Sequence, residues 1–279
     1  MIFDCKYCMI MKKIVLFTLG FLALGAFSAC SGGNKDGEKN SNDENRNIQF
    51  ESYSYDLIGE FAGADSVLYD IPGGRYVRYI GQGVLPKDLG QADVKHLRDT
   101  LMKIARVNFV GENRPEPTTT DSIRITDLPA NDSIACGEVI ANLSTTLVNT
   151  RVIVWENEIY SYPCMAAHGM TNTSFINFCM TDGKIMSLSD LFKPGYEKKL
   201  KALIAKKLKE AGTQLLVERG RVPIAEEFEI TTSGILFSYD PYQIAPYSEG
   251  TVQVELTTDE LLELLSDHGR FVLTGVSDR

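Results

Sequence analysis

The chain has few of the residues from which most enzyme signatures are built. Only three histidines occur in 279 residues, and they are scattered, so neither a His-Glu-x-x-His pair nor a three-histidine zinc site is indicated. No Gly-x-Ser-x-Gly elbow supplies a serine nucleophile, and no phosphate-binding glycine motif is present. We therefore expect no catalytic residues, no metal and no cofactor. A hydrolase built on carboxylates far apart in sequence leaves no such motif and stays open.

Positive charge is also scarce. Lysine and arginine number 28 against 37 acidic residues, for a formal net charge of −9. The dense negative charge of nucleic acids repels such a chain, so we expect no nucleic-acid partner. An acidic surface can attract a cationic protein, although solubility alone would explain the same charge.

No apolar run is long enough to cross a bilayer. The longest, residues 14–27, has about 14 residues, whereas a membrane-spanning helix needs about 20. A basic Met11-Lys-Lys start precedes it and Ser-Ala-Cys30 follows, which is the order of a secretory signal peptide. The cysteine after small residues resembles the lipobox of bacterial lipoproteins. We therefore predict a signal peptide over 1–29, with its natural start at Met11, and lipidation (palmitate) of Cys30.

Lipidation at Cys30 would tether the protein to a membrane of the cell envelope. The anchor would lie on the periplasmic side of the outer membrane or at the cell surface, and the sequence leaves both open. Cleavage removes three lysines and one aspartate, a net +2, so the formal charge falls from −9 to −11. The polar stretch 30–47 is typical of a flexible tether. Beyond it we distinguish an N-terminal part over 48–150 and a C-terminal domain over 151–279.

Four cysteines would remain in the mature chain: Cys30, Cys136, Cys164 and Cys179. With Cys30 lipidated, one of the other three stays free if any pair forms. An extracytoplasmic location permits disulfides. A turn predicted over His168–Thr173 lies midway between Cys164 and Cys179, so a simple hairpin would place these two opposite each other. The alternative is that they are buried thiols, since cysteine is often a small core residue.

The hydrophobic periodicities mix helices and strands without regular alternation. This mixture favours an α+β fold, with a mixed or antiparallel sheet and hairpins packed against a few helices. The predicted elements are helices over 88–106, 138–148 and 196–210, strands over 75–80, 174–180 and 251–256, hairpins over 152–162 and 227–239, and a helix after a capping box at Thr257–Glu260, with His268 following it at the helix C-terminus.

Three segments resemble the C-terminal domain of the RsiV-like lipoprotein family. They are Tyr160-Ser-Tyr-Pro-Cys-Met-Ala-Ala-His-Gly169, the stretch from Asn177 to Phe192 with its Asp-Gly-Lys turn and Leu-Ser-Asp-Leu-Phe, and the stretch from Phe228 to Tyr247. The string Asp-Pro-Tyr-Gln-Ile-Ala-Pro-Tyr at the end of the third segment is the most specific. Two alanines stand where the family has Gly-Gly before its histidine.

The family includes the extracellular part of a lysozyme-sensing anti-sigma factor and a domain attached to a peptidoglycan deacetylase. The resemblance therefore implies a non-catalytic binding or sensing module. Its ligand would be an envelope glycan, such as a peptidoglycan fragment, or a lysozyme-like protein. No sigma-binding segment accompanies the domain, so direct anti-sigma function is not expected.

Four side chains are the candidates for ligand binding. Tyr239, Tyr242 and Tyr247 cluster between prolines near the end of the third segment, and tyrosines of this kind anchor protein partners or stack on sugar rings. His168 lies in the family-like turn. The competing interpretations are that the tyrosines pack a strand edge and that His168 packs its turn. Two further functions stay open, an envelope hydrolase using His168 with remote carboxylates and a structural lipoprotein of an envelope complex.

Overall fold

The computed structural model describes residues 48–60, 76–90, 94–107, 122–126 and 137–276. The predicted signal peptide, Cys30 and the tether lie outside these residues. The described residues belong to one compact unit, Asn45–Arg279. In these ranges, no helix combines the length and the hydropathy needed to span a bilayer.

The described residues form ten strands and five α-helices, which confirms the predicted α+β class. The strands are β1 Ile48–Glu60, β2 Tyr76–Leu89, β3 Ser122–Thr126, β4 Gly137–Val148, β5 Val152–Pro163, β6 Met170–Cys179, β7 Lys184–Ile185, β8 Glu227–Ile230, β9 Gly234–Tyr239 and β10 Val252–Thr257. The helices are α1 Val94–Val107, α2 Leu188–Leu191, α3 Glu197–Glu210, α4 Thr258–Leu261 and α5 Asp267–Thr274.

The strands form two sheets. The large sheet has the order β3-β1-β2-β4-β5-β6-β7, and the small sheet has the order β10-β9-β8. Pairing is parallel between β1 and β3 and between β2 and β4, and antiparallel at every other contact between named strands. The large sheet continues from β4 into β5, so the two parts predicted from the sequence share it.

Strand β5 separates two hydrophobic cores. Ile153 and Trp155 face the core beneath α1, whereas Val152 and Val154 face the core that contains α3 and the small sheet. This division follows from the two-residue period of a strand. All four side chains are fully buried, and the Trp155 Nε1–H donates to the Val84 carbonyl at 3.1 Å. Because β5 is buried on both faces here, its residues 152–155 form a continuous apolar run instead of an alternating pattern.

Two predicted elements are wrong. Residues 138–148 form strand β4, in which Val139, Ala141 and Leu143 are buried on one face at a spacing of two. The predicted hairpin over 152–162 is the single strand β5. Its Glu-Asn-Glu segment is not a turn, because Asn157 is buried and donates a hydrogen bond to Ser174 Oγ on β6. Turn composition cannot distinguish such a residue from a turn residue, because its hydrogen-bond partner lies on the neighbouring strand.

Several predicted elements are confirmed. The predicted helix over 196–210 is α3, and the predicted hairpin over 227–239 is the β8–β9 pair. At the start of α4, the Thr257 hydroxyl accepts from the Glu260 amide and the Glu260 carboxylate accepts from the Thr257 amide, as a capping box requires. The position predicted for His268 is wrong. It lies in the first turn of α5, a separate helix capped by Ser266.

Candidate functional site

The connection between β5 and β6 spans residues 164–169, and it lies earlier in the chain than the predicted turn. Pairing of Ser161 with Met170 fixes the register, so the end of the predicted turn belongs to β6. Met165, the second residue of the loop, lies in the left-handed region at φ 62°. The Tyr162 hydroxyl donates to the Ala166 carbonyl at 3.1 Å, which closes the loop against β5.

This register overturns the predicted Cys164–Cys179 disulfide. Cys164 follows Pro163, which pairs with Gly137 on β4, whereas Cys179 pairs with Val152 at the opposite end of the hairpin. Cys179 is a free, buried thiol, and Cys164 is disulfide-bonded. The prediction is wrong because the turn was placed too late, which made the two cysteines appear symmetric about it.

Peptide mapping under non-reducing conditions tests this correction. We expect the Cys164 peptide to be cross-linked to the Cys136 peptide, because Cys136 is the cysteine left in the mature chain when Cys30 carries lipid and Cys179 is free. Cys136 itself lies outside the described residues. Cys179 should react with an alkylating reagent only after unfolding. A cross-link between the Cys164 and Cys179 peptides would contradict the strand register.

Three aromatic rings form an exposed stack beside the loop. The ring centroids of His168 and Tyr247 are 3.9 Å apart with planes at 25°, and those of Tyr242 and Tyr247 are 5.8 Å apart at 29°. We call these three residues the aromatic stack. Tyr242 is 50% exposed and Tyr247 is 38% exposed. The structure thus brings together three of the four predicted ligand residues from two loops far apart in sequence.

One carbonyl holds two members of the aromatic stack. The Tyr247 hydroxyl donates to the Gly169 carbonyl oxygen at 3.0 Å, and His168 Nδ1 lies 3.0 Å from the same oxygen. One face of the imidazole therefore packs on Tyr247 while its Nδ1 is directed at its own loop. This geometry supports the packing interpretation of His168.

Tyr160 borders the aromatic stack, and sequence reasoning did not select it. A Cβ on Gly169 would lie far within van der Waals contact of the hydroxyl end of the Tyr160 side chain, so the absence of a Cβ permits this close approach. Burial, followed by the nearby Tyr247, raises the pKa of the Tyr160 hydroxyl. Gly169, directly after His168, is the sequence feature that could have indicated a ring packed against the loop.

Tyr242 is held in a strained backbone conformation. Its φ of 71° lies in the left-handed region, and among the described residues only Met165 and Tyr242 are non-glycines with positive φ. The Tyr242 amide donates to the Ala245 carbonyl at 3.0 Å, which fixes the turn. This conformation costs about 1–2 kcal/mol for a residue with a Cβ. Both strained residues lie in the two loops that form the stack.

The fourth predicted ligand residue, Tyr239, is not part of this surface. Tyr239 is 1% exposed, and its hydroxyl donates to the Pro223 carbonyl at 2.7 Å. Burial raises its pKa to about 12. The prediction is wrong because β9 is buried on both faces, so the last residue of the strand joins the core instead of the loop that follows.

The small sheet is joined to β6 by hydrogen bonds from side chains to the backbone and not by pairing between strands. Asp240 Oδ1 accepts from the Thr173 amide at 3.0 Å, and Glu227 Oε2 accepts from the Phe175 amide at 2.9 Å. Asn177 bonds to the backbone of β8 in the same region. These bonds satisfy backbone groups on the side of β6 that faces the small sheet. Because Asp240 precedes Tyr242 by two residues, the same junction positions the aromatic stack.

Carboxylates crowd the neighbourhood of this junction. Burial, then repulsion from Glu229 and Glu158, raises the pKa of Glu156. Burial also raises the pKa values of Glu227 and Asp240. Each of these groups binds its proton more tightly in the folded state than in the unfolded state. Their contribution to stability is therefore lost as the pH rises from the ordinary carboxyl pKa through the raised folded value.

Glu156→Gln is accordingly expected to stabilise the protein at pH 7 and to leave it nearly unchanged at pH 4. The amide removes the cost of burying the Glu156 charge and then the repulsion by Glu229 and Glu158, an effect of about 0.2–1 kcal/mol for charges that are partly screened by solvent. Thermal unfolding at both pH values measures the difference. Glu158→Gln, at an exposed position, is the matched control and should gain less. A lower melting temperature for Glu156→Gln at pH 7 would contradict this explanation.

Comparison with known proteins gives a family match over part of the chain and a similar fold. Residues 189–259 match the family DUF3298, described as a protein of unknown function. No curated protein matches the chain. A crystal structure of a DUF3298 family member from Bacteroides fragilis NCTC 9343 is similar, with a TM-score of 0.55 at 15% identity over 83% of this chain and 99% of that one.

A DUF3298 family protein from Pseudomonas aeruginosa PAO1 is also similar. Its crystal structure gives a TM-score of 0.53 at 18% identity and covers 79% of this chain and 95% of that one. At these identities the likeness concerns the fold alone. The chain therefore shares its fold with these two DUF3298 proteins, and a segment of its C-terminal part is similar to the DUF3298 family.

Proposed function

We propose that the protein is a lipid-anchored, extracytoplasmic and non-catalytic recognition module that binds an envelope glycan on the aromatic stack. The order of charged, apolar and small residues before Cys30 supports the anchor. The resemblance to the RsiV-like lipoproteins, whose members act at the cell wall, supports a peptidoglycan fragment as the ligand. The packing of His168 supports a binding role over a general base, because its Nδ1 is directed at Gly169.

The observation that carries the proposal is the exposed ring of Tyr242. Tyr242 stands at the end of the three-ring stack, half exposed, on a backbone held at positive φ. Strained residues persist where the surroundings over-determine them, and they concentrate at ligand sites. The apolar face of a sugar ring can pack on an aromatic ring of this kind, while hydroxyl groups hydrogen-bond to the edges.

The aromatic stack is also pre-organised. Tyr247 is fixed by its bond to the Gly169 carbonyl, and it contacts a ring on each side. A side chain that is ordered before binding loses little rotamer entropy when the ligand arrives, which is worth about 0.5–1.5 kcal/mol for each side chain. A ligand that packs on these rings therefore binds at a lower entropic cost than it would on mobile side chains.

A second candidate ligand is a cationic wall-targeting protein such as lysozyme. The observation that favours it is the cluster of Glu156, Glu158 and Glu229, in which burial and then repulsion from the other two carboxylates raise the pKa of Glu156. Crowded carboxylates on an acidic chain create a field that attracts a cationic partner. The two candidates differ in their expected response to salt, because charge-driven binding is screened and ring stacking is not.

Calorimetric titration of the purified full chain distinguishes the candidates. With soluble peptidoglycan fragments we expect saturable binding near one-to-one that changes little between low and high salt. Tyr242→Ala should abolish it, whereas Leu262→Ala, an exposed apolar residue outside the stack, should not. Salt-sensitive binding of lysozyme that survives Tyr242→Ala would instead support the second candidate. No heat with either ligand would contradict both.

A further inference from the structure

Three metal-binding side chains converge at the end of β6 that is opposite the aromatic stack. They are Cys179 at the end of the strand, Asp182 in the turn that follows and His268 in the first turn of α5. One ligand atom from each residue lies within 4.8 Å of the other two. His268 Nδ1 and Asp182 Oδ2 are 3.5 Å apart. Cys179 and Asp182 are three residues apart, and folding brings the distant His268 to them, which is why sequence spacing did not indicate the set.

The distances approach those of a tetrahedral zinc site. Zinc–sulfur, zinc–nitrogen and zinc–oxygen bonds of about 2.0–2.3 Å place neighbouring ligand atoms about 3.3–3.6 Å apart. The imidazole and the carboxylate already have this spacing. The sulfur lies within 4.8 Å of the other two ligand atoms, so it needs to approach them by about 1.5 Å at most. A thiolate with an imidazole and a carboxylate suits zinc rather than calcium or magnesium, which prefer oxygen ligands.

The surroundings of the Cys179 sulfur are not those of an ordinary core thiol. Cys179 is 1% exposed and packs in the core that contains α3. Its Sγ nevertheless lies 3.0 Å from the Thr181 hydroxyl and faces the carboxylate and the imidazole. When the sulfur is a thiolate, the Thr181 hydroxyl donates to it and so serves as a supporting partner of a metal ligand.

Rigid elements hold the three ligands in place. The Met180 amide donates to the Arg151 carbonyl at 2.7 Å, and the Arg151 guanidinium donates to the Val272 carbonyl of α5 at 3.1 Å. Helix α5 also packs closely on α2, where Gly269 lies against the Leu191 carbonyl. The residues next to Cys179 and His268 are thus tied together independently of any ion, as a pre-organised site requires.

We infer that Cys179, Asp182 and His268 form a Zn²⁺ site. The protein supplies three ligands, and water supplies the fourth on the partly exposed side of Asp182 and His268. The Cys179 thiol loses its proton to the buffer on binding. The ion ties the C-terminal helix to the end of β6. This site is separate from the proposed glycan surface, and neither depends on the other.

Cobalt substitution tests the inference. Co²⁺ is titrated into the full chain carrying Cys5→Ser and Cys8→Ser, which removes a competing Cys-x-x-Cys pair. We expect one equivalent to produce a near-ultraviolet thiolate-to-cobalt band and the strong visible bands of tetrahedral cobalt, both removed by Zn²⁺. His268→Ala and Asp182→Asn, at partly exposed positions, should weaken binding at least tenfold. His96→Ala, on the exposed face of α1, should have no effect.

Two further measurements separate ligation from folding. Thr181→Val should weaken binding about 10- to 100-fold while the protein stays folded, because it removes only the supporting hydroxyl. Zn²⁺ should raise the melting temperature of the parent chain and not that of His268→Ala. A cobalt spectrum without the thiolate band, or a band unchanged in His268→Ala and Asp182→Asn, would overturn the assignment.

Discussion

Asn177→Ala is expected to lower the free energy of unfolding by about 3–5 kcal/mol. The side chain is 1% exposed and bonds at both ends to β8, with Nδ2 donating to the Phe228 carbonyl at 2.7 Å and Oδ1 accepting from the Ile230 amide at 2.8 Å. Alanine would leave two buried backbone groups unsatisfied, each at a cost of about 1–3 kcal/mol, and would open a cavity. Urea unfolding measures the loss.

Asn172→Ala on the same strand is the matched control. Asn172 is exposed, so its replacement should change the free energy of unfolding by less than about 0.5 kcal/mol. Hydrogen exchange adds a local readout, because the Ile230 amide should exchange faster in Asn177→Ala than in Asn172→Ala. A loss below about 1 kcal/mol for Asn177→Ala would show that the small sheet is held to β6 by other contacts.

Gly269→Ala is expected to destabilise the protein by about 2–3 kcal/mol, although helix propensity alone favours the substitution by about 1 kcal/mol. Gly269 lies inside α5, and an added Cβ would meet the Leu191 carbonyl oxygen far within van der Waals contact. Neither atom can rotate away, because the Cβ is fixed by the backbone of α5 and the Leu191 carbonyl oxygen belongs to the backbone of α2. The helix must shift, and His268 would shift with it, so the proposed zinc affinity should also fall.

Gly220→Ala provides the control for Gly269→Ala. A Cβ on Gly220 would enter open space, so this substitution should be neutral or slightly stabilising. Thermal unfolding of both variants in parallel compares them. If Gly269→Ala raised the melting temperature, propensity would outweigh packing, and the close approach of α5 to α2 would not be a real constraint.

The elements that the sequence predicted correctly are those with a local signal. Helix α3 shows apolar residues three and four apart, the Ser-Gly pair places the β8–β9 turn, and Thr257 with Glu260 defines a cap. Strand β4 shows a local alternation, with Val139, Ala141 and Leu143 at a spacing of two, which was interpreted as a helix. The continuity of β5 was missed because its cause is tertiary. Asn157 resembles a turn residue until the neighbouring strand supplies Ser174 as its partner.

The sequence indicated only part of the candidate site, because several of its contacts form only in the folded chain. The rare string ending at Tyr247 pointed to Tyr242 and Tyr247, but Tyr239 is separated from them by the end of a buried strand. Tyr160 became evident only through its contact with Gly169. Two of the proposed zinc ligands, Cys179 and Asp182, are three residues apart, but His268 joins them only after folding, so the sequence spacing does not mark the set.

Tyr242→Gly tests the proposed recognition role most directly, because it separates binding from stability. Glycine relieves about 1–2 kcal/mol of backbone strain and forfeits about 0.5–1.5 kcal/mol of ring stacking on Tyr247, so the free energy of unfolding should change by less than about 1 kcal/mol. Calorimetric titration with soluble peptidoglycan fragments should then show no binding to Tyr242→Gly and near-normal binding to Tyr242→Phe. Equal affinity of both variants and the parent chain would contradict the proposal that the aromatic stack binds the ligand.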